Sequence, residues 1–231
     1  MRVLFDNLIY DATLTATYAD GNYPVTNLMA SAVKKIYKST EVSDMITIIF
    51  DYAQTIDSCF VGYTNATSIT LSLYNSSDTL LYTQTIDTDK LGKVFNQVDN
   101  VSYATVVFTS SDTLYVGTIG IGESYTMPDP DNGIVTKPID YSTREFSTGG
   151  QLYINRVPIR KTFDTTISNI LVDDYNEIFA LWANLEHPVW VDVYEETSGI
   201  INPLFADVVM GEDPTQSWKR YALTLTFTEV K

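Results

Sequence analysis

Val172-Asp173-Asp174-Tyr175-Asn176-Glu177-Ile178-Phe179-Ala180-Leu181-Trp182-Ala183-Asn184-Leu185-Glu186-His187-Pro188-Val189-Trp190-Val191-Asp192-Val193-Tyr194 is the stretch that changes period partway along. In its first part Tyr175, Ile178, Phe179, Trp182 and Leu185 fall at i, i+3, i+4, i+7 and i+10, the apolar stripe of a helix. Asp174 and Glu177 have the spacing of a capping box, Asp173 and Asp174 suit the positive end of the helix dipole, and Pro188 forbids continuation. The spacing predicts a helix from about Asp174 to about Glu186, with its Phe179/Trp182 face packed on a sheet. Val189 to Tyr194 then reads as a strand of β-branched and aromatic residues. Everything outside this helix reads as strands and turns, so the chain is expected to be mainly β.

Composition agrees. Thr, Ser, Tyr, Val and Ile dominate the middle of the sequence, and 45% hydrophobic residues over 231 positions supply a core for one large domain or two modest ones. A net charge of −15 argues against a nucleic-acid face, which needs clustered Lys and Arg. The short run Lys34, Lys35, Lys38 is too isolated to reverse that. One cysteine excludes an intramolecular disulfide, and a single histidine leaves a zinc site without ligands, so neither metal nor cofactor is expected. Cys59 lies in the apolar run Ile56 to Val61 and is expected to be a buried, inert thiol. No apolar run of spanning length occurs, and Met1-Arg2-Val3-Leu4-Phe5-Asp6 has no signal-peptide pattern. The expectation is a soluble, unexported protein made in a cytoplasm, with no membrane insertion.

Strand candidates recur from the start: Val3 to Phe5, Thr13 to Tyr18, Ile36 to Thr40, Met45 to Asp51, Ile56 to Tyr63, Ile69 to Tyr74, Leu80 to Ile86, Ala104 to Phe108 and Leu114 to Ile121. The Asn75 to Asp78 turn joins two of them as a hairpin. Short strands at short intervals describe an antiparallel sandwich or jelly roll. The phrase Gly21-Asn22-Tyr23-Pro24-Val25-Thr26-Asn27-Leu28, followed by Tyr37-Lys38-Ser39, resembles the Gly-Tyr-Pro-Ala-x-Asn-Leu and Trp-x-Ser landmarks of the galactose-binding-like, or discoidin-like, jelly roll. Gly62-Tyr63-Thr64-Asn65 and Leu114 to Gly122 are similar to later strands of that family. Tyr37 stands where the family has Trp, and no discoidin-type cysteine pair is present. The resemblance implies a ligand site on the loops of one rim, where Asp20, Asn22 and Tyr23 stand.

A composition break at Met127-Pro128-Asp129-Pro130-Asp131-Asn132-Gly133 gives a domain boundary: residues 1–125 as the jelly roll, 126–140 as a linker, and 141–231 as a β-rich α+β domain with one helix. Asp129, Asp131 and Asp140 lack the Gly and Glu placement of a calcium loop. In the second part Ser147-Thr148-Gly149-Gly150-Gln151-Leu152-Tyr153, then Arg156 and Arg160, the helix, Pro188-Val189-Trp190-Val191 and the alternating strand Leu223 to Val230 resemble the C-terminal parts of tailed-bacteriophage minor tail and baseplate proteins. These include distal-tail proteins built on the tail-tube fold.

Catalytic pairs do not emerge. Asp173, Asp174 and Glu177 are explained by capping, Asp192, Glu195 and Glu196 by a solvated strand end, and His187 by a helix C-terminus. The 16 tyrosines pack in core and interfaces or form a sugar-stacking patch. The resemblances imply a non-enzymatic structural component of a phage tail tip or baseplate, located in the virion and made in the host cytoplasm. It would self-associate into a ring or collar, contact other tail proteins, and present its jelly roll to a host-surface glycan. Tyr221, Leu223, Leu225 and Phe227 on the final strand are the candidate assembly interface, through an unpaired edge. A carbohydrate-binding adhesion module without a tail role is the alternative, and a hydrolase a third class.

Overall fold

The computed structural model describes residues 1–30, 34–86, 88, 92–128, 135–140, 142–146, 151–155, 159–192, 204–211, 216–217 and 220–230. It is mainly β and antiparallel, and the chain forms two compact units. Met1–Met127 with Asn184–Phe205 make the first; Pro128–Ala183 with Ala206–Lys231 make the second. In the first unit Thr13–Ala16, Ser43–Gly62, Gly92–Ser110, Ala66–Tyr74 and Leu80–Ile86 run in that order across one antiparallel sheet. The hairpin at Asn75 is as expected: the Asn75 carboxamide oxygen accepts from the backbone of Ser77 and Thr79, and Asp78 takes a left-handed φ of 59°. Alternation sets the two faces. Ile46, Ile48, Ile69, Leu71, Leu73, Ala104, Val106 and Phe108 point into the core. The register aligns Thr15, Thr47, Thr105, Ser72 and Thr83 in a row across the other face, which accounts for much of the Thr and Ser in this region.

The strand Ser43–Gly62 serves twice. Register shifts between Ile49 and Ser58 bend it, and its second half lies between Gly92–Ser110 and Thr118–Gly122. Ile56 to Gly62 is therefore buried on both faces. Cys59 lies there, and burial pushes its thiol up to about 12, as expected of an inert core residue.

The strand following the helix, Val189–Asp192, is where the sequence reading and the structure part. From the sequence it groups with residues 141–231, but it pairs with Arg2–Leu4, itself paired with Tyr125–Thr126, and belongs to the first unit. The cause is Trp190, 2% exposed, whose ring stacks on Phe60 at 5.6 Å and 14° and tilts against Phe205 at 5.3 Å. The seat is made by glycines: a Cβ on Gly120 would lie 2.3 Å from Trp190 Cδ1, and one on Gly62 2.8 Å from Cη2. Asp192, expected at a solvated strand end, is buried opposite Arg2.

In the second unit the Ala206–Met210 part of the strand Leu204–Met210, then Arg220–Glu229, Arg160–Leu171 and Val135–Ile139 are antiparallel neighbours in that order, and Thr143–Phe146 pairs with Leu152–Asn155. Val135–Ile139 corrects part of the expected 126–140 linker. It is a strand that takes Pro138 at a sheet edge, where a missing N–H does no harm. The final strand also corrects its expectation. Arg220–Glu229 is flanked by partners on both sides, so it offers no unpaired edge; Leu223, Leu225 and Phe227 are buried, and Tyr221 stacks on Tyr175 at 4.4 Å. Leu223, Leu225 and Phe227 thus face the core, and the strand is not an open edge.

The helix is Val172–Ala183, two residues earlier at its start and three shorter at its end than expected. It begins as soon as the strand Arg160–Leu171 stops, which puts Asp173 and Asp174 inside the first turn rather than at a cap. Its buried residue is Ile178; Trp182 is half-buried with its indole N–H donating to the Val208 carbonyl at 3.3 Å, and Phe179 is 44% exposed. The buried face is thus rotated away from Phe179. The Asp129/Asp131 segment, Ser147 to Gly150, Arg156, Glu195 and Glu196 lie outside the described residues.

Candidate functional site

The loops at one end of the first unit's sheet are held by a single carboxylate. Asp44, 3% exposed, accepts from the backbone N–H of Thr17 at 3.2 Å, of Tyr18 at 3.2 Å and of Met45 at 2.7 Å, and from the Tyr37 hydroxyl. Burial first, and then the adjacent carboxylate, hold the Tyr37 hydroxyl well above the usual tyrosine range, so it stays a donor. Tyr37 thereby supplies a buried ring whose hydroxyl also anchors Asp44. Backbone bonds knit the rest: Asp20 N–H to the Lys38 carbonyl at 2.9 Å, Lys38 N–H to Tyr23 at 3.2 Å, Thr40 N–H to Tyr18 at 2.7 Å, and Ser39 N–H to Leu114 at 3.0 Å. Tyr37–Lys38 pairs with Tyr115–Val116. Asn65 ties the neighbouring loop in, its amide donating to the Thr113 carbonyl and its oxygen accepting from Tyr115 N–H, each at 2.9 Å.

On this pinned backbone three tyrosines are left outside: Tyr18 at 49%, Tyr23 at 37% and Tyr115 at 38% exposure. Lys38 lies beside two of them, its Nζ 4.1 Å from the centre of the Tyr23 ring and its residue directly across the ladder from Tyr115. Exposed rings on a fixed backbone, one of them with an ammonium over one face, give a surface able to stack on a flat, hydroxylated ligand.

Of the residues singled out in the sequence, Tyr23 is on this platform, and Asp20 and Asn22 shape it. The Asp20 Oδ1 accepts from the Asn22 N–H at 2.8 Å, closing a turn that aims Tyr23 outward. Tyr18, Lys38 and Tyr115 join them through pairings distant in sequence. His187 is not at the helix end, since the helix stops at Ala183; its ring lies on Tyr10 at 3.9 Å. Asp173, Asp174 and Glu177 stay on the exposed or half-exposed helix surface. Among the described residues no group of three or more His, Cys, Asp or Glu is placed to hold a metal, and no helix is long and apolar enough to cross a membrane.

No family model and no curated protein matches the sequence. Solved structures similar to part of the chain include a chitosan-binding module from a chitosanase/glucanase of Paenibacillus sp., 17% identical over 51% of this chain and 99% of that one, TM-score 0.44. The lectin binding domain of Lectinolysin complexed with Lewis b is 12% identical over 52% and 97%, TM-score 0.44. CBM32 of AlyQ in complex with 4,5-unsaturated mannuronic acid is 17% identical over 52% and 97%, TM-score 0.41. Likenesses this distant do not bear on mechanism.

Proposed function

We propose that this chain is a non-enzymatic glycan-recognition protein whose binding face is the Tyr18, Tyr23, Tyr115 and Lys38 platform. The observation that carries it is the exposure of three aromatic rings on loops whose backbone is fixed by a buried carboxylate. Exposed aromatics lower the free energy of a lone domain only when something covers them, and fixed loops spare the ligand the entropy of ordering them. A sugar ring offers such rings its C–H face while its hydroxyls reach Lys38 and the loop amides. The test is glycan-array screening of the full chain, followed by titration of the best ligand against Tyr23→Ala and Tyr18→Ala. Each is expected to weaken binding about 10-fold while changing stability by less than about 0.5 kcal/mol, as for surface positions. Unchanged affinity in both variants would remove the platform from consideration.

A second reading concerns the second unit, where Leu171, Val172, Phe179 and Val209 are exposed apolar side chains on the helix and sheet. Together with the resemblance to tail and baseplate proteins, they support a proposal that the chain is built into a phage tail tip through this unit, in a closed ring with heterologous contacts. Native mass spectrometry is expected to give a defined oligomer that Phe179→Glu dissociates. A monomer at every concentration up to about 100 μM, well above the Kd of an interface of standard size, counts against the ring.

A further inference from the structure

We infer that the ligand of this platform is an acidic glycan, one bearing a carboxylate or sulfate beside the stacked sugar. This rests on the glycan reading above and goes further by naming the charge. The chain is strongly acidic, at −15, with only 14 Lys and Arg in all, yet three of them, Lys34, Lys35 and Lys38, fall within five consecutive positions that end at the Tyr37–Lys38 strand. Lys34 and Lys35 are exposed. The carboxylates nearby are largely committed elsewhere: Asp44 is buried under its four donors, and Asp20 Oδ1 is held by the Asn22 N–H. Glu41 and Asp112, whose Oδ1 accepts from the Thr113 N–H, are the exposed acids that remain on these loops, against three lysines.

Lys38 is the specific element. Its ammonium is set over the face of Tyr23, which fixes where the charge stands and covers that side of the ring. A sugar therefore stacks on Tyr18, Tyr115 or the far side of Tyr23, with its acidic substituent turned toward Nζ, whose remaining N–H groups are donors. The overall negative charge does not forbid this. Fields are screened beyond about 8 Å at physiological salt, so the local cations decide the sign that a bound ligand meets. The same overall charge repels polyanions elsewhere on the surface and confines them to this rim.

The test uses the full chain and two matched polymer pairs in affinity electrophoresis: hyaluronan with its carboxyl-reduced form, and dextran sulfate with dextran. The acidic member of at least one pair is expected to bind about 10- to 100-fold more tightly than its neutral twin, the range of a charge-assisted hydrogen bond. Whichever pair responds tells carboxylate from sulfate. Lys38→Gln should erase the difference and Lys38→Arg keep most of it. If the neutral twin binds equally and Lys38→Gln changes nothing, the acidic ligand is wrong while the glycan platform stands. If neither pair binds but a neutral glycan does, the same conclusion follows. Should the pair Lys34→Gln with Lys35→Gln lose as much as Lys38→Gln, the attraction is diffuse and the seat on Tyr23 is refuted. No binding to these polymers or to any arrayed glycan overturns both readings.

Discussion

Trp190→Ala should destabilise the first unit by about 3 kcal/mol or more, although Trp190 comes from the far half of the sequence. Removing a fully buried Trp generally costs about 3–5 kcal/mol, because the transfer energy of the ring is lost and a cavity remains. Here that cavity would be walled by Phe60, Phe205 and the two glycine backbones at Gly62 and Gly120, which are strand residues with little freedom to collapse inward. One effect works the other way: the indole N–H is buried with no acceptor among the described residues, a defect worth about 1–3 kcal/mol that alanine removes. The loss should therefore fall toward the low end of the range, still a large share of a typical domain's 5–15 kcal/mol. Urea unfolding of the full chain followed by far-UV circular dichroism measures it. A loss under about 1 kcal/mol would mean the seat refills and the segment is not integral to the unit. The same reasoning makes residues 1–127 alone a poor folding unit, since they lack the Trp190 ring and leave one side of Arg2–Leu4 without its partner.

That pairing also marks where a sequence stops being informative. Local features were readable: the Ile69 to Ile86 hairpin, the alternation of Leu223, Leu225 and Phe227, the buried Cys59 and the single helix each follow from residues a few positions apart. Which strand accepts Val189–Asp192 depends on a fit between Trp190 and two glycines some seventy and more residues upstream, and periodicity carries no information on such partners. The final strand shows the same gap. Its alternating pattern is that of any strand with one buried face, whether it lies at an edge or between two neighbours. In the candidate site, Asp20-Gly21-Asn22-Tyr23 reads as an exposed turn from its residues alone. Lys38 and Tyr115 reach it only through the Tyr37–Lys38 and Tyr115–Val116 ladder. Asp44 did leave a sign: it is in phase with Ile46, Ile48 and Phe50, so an ionisable group falls on the buried face of its strand. A carboxylate there needs several donors, and the donors are the loop.

Asp44→Ala is accordingly expected to damage both stability and the binding face. The substitution leaves the N–H groups of Thr17 and Tyr18 and the Tyr37 hydroxyl without their acceptor, the last in a fully buried position. Hydrogen bonds to a charged group contribute about 1.5–3 kcal/mol each, but the two loop amides can turn to water once released, so the sum is not realised. The buried phenol cannot, and it accounts for much of an expected total of about 3–5 kcal/mol, the usual cost of stripping one partner from a buried charged cluster. Tyr37→Phe separates the contributions. It keeps the ring, removes one donor from Asp44 and leaves the three backbone bonds in place, so it should cost about 1–2 kcal/mol and hardly move the loop. Hydrogen exchange at the Thr17 and Tyr18 amides supplies the second readout. Exchange should quicken sharply in Asp44→Ala and little in Tyr37→Phe, with glycan affinity falling in the same order, because Tyr18 and Tyr23 can stack on a ligand only while the segment between them is held. If the amides of Asp44→Ala stayed as protected as in the parent chain, the ladder to Lys38 and Tyr115 would be sufficient to position the platform, and the carboxylate would be a feature of the core alone.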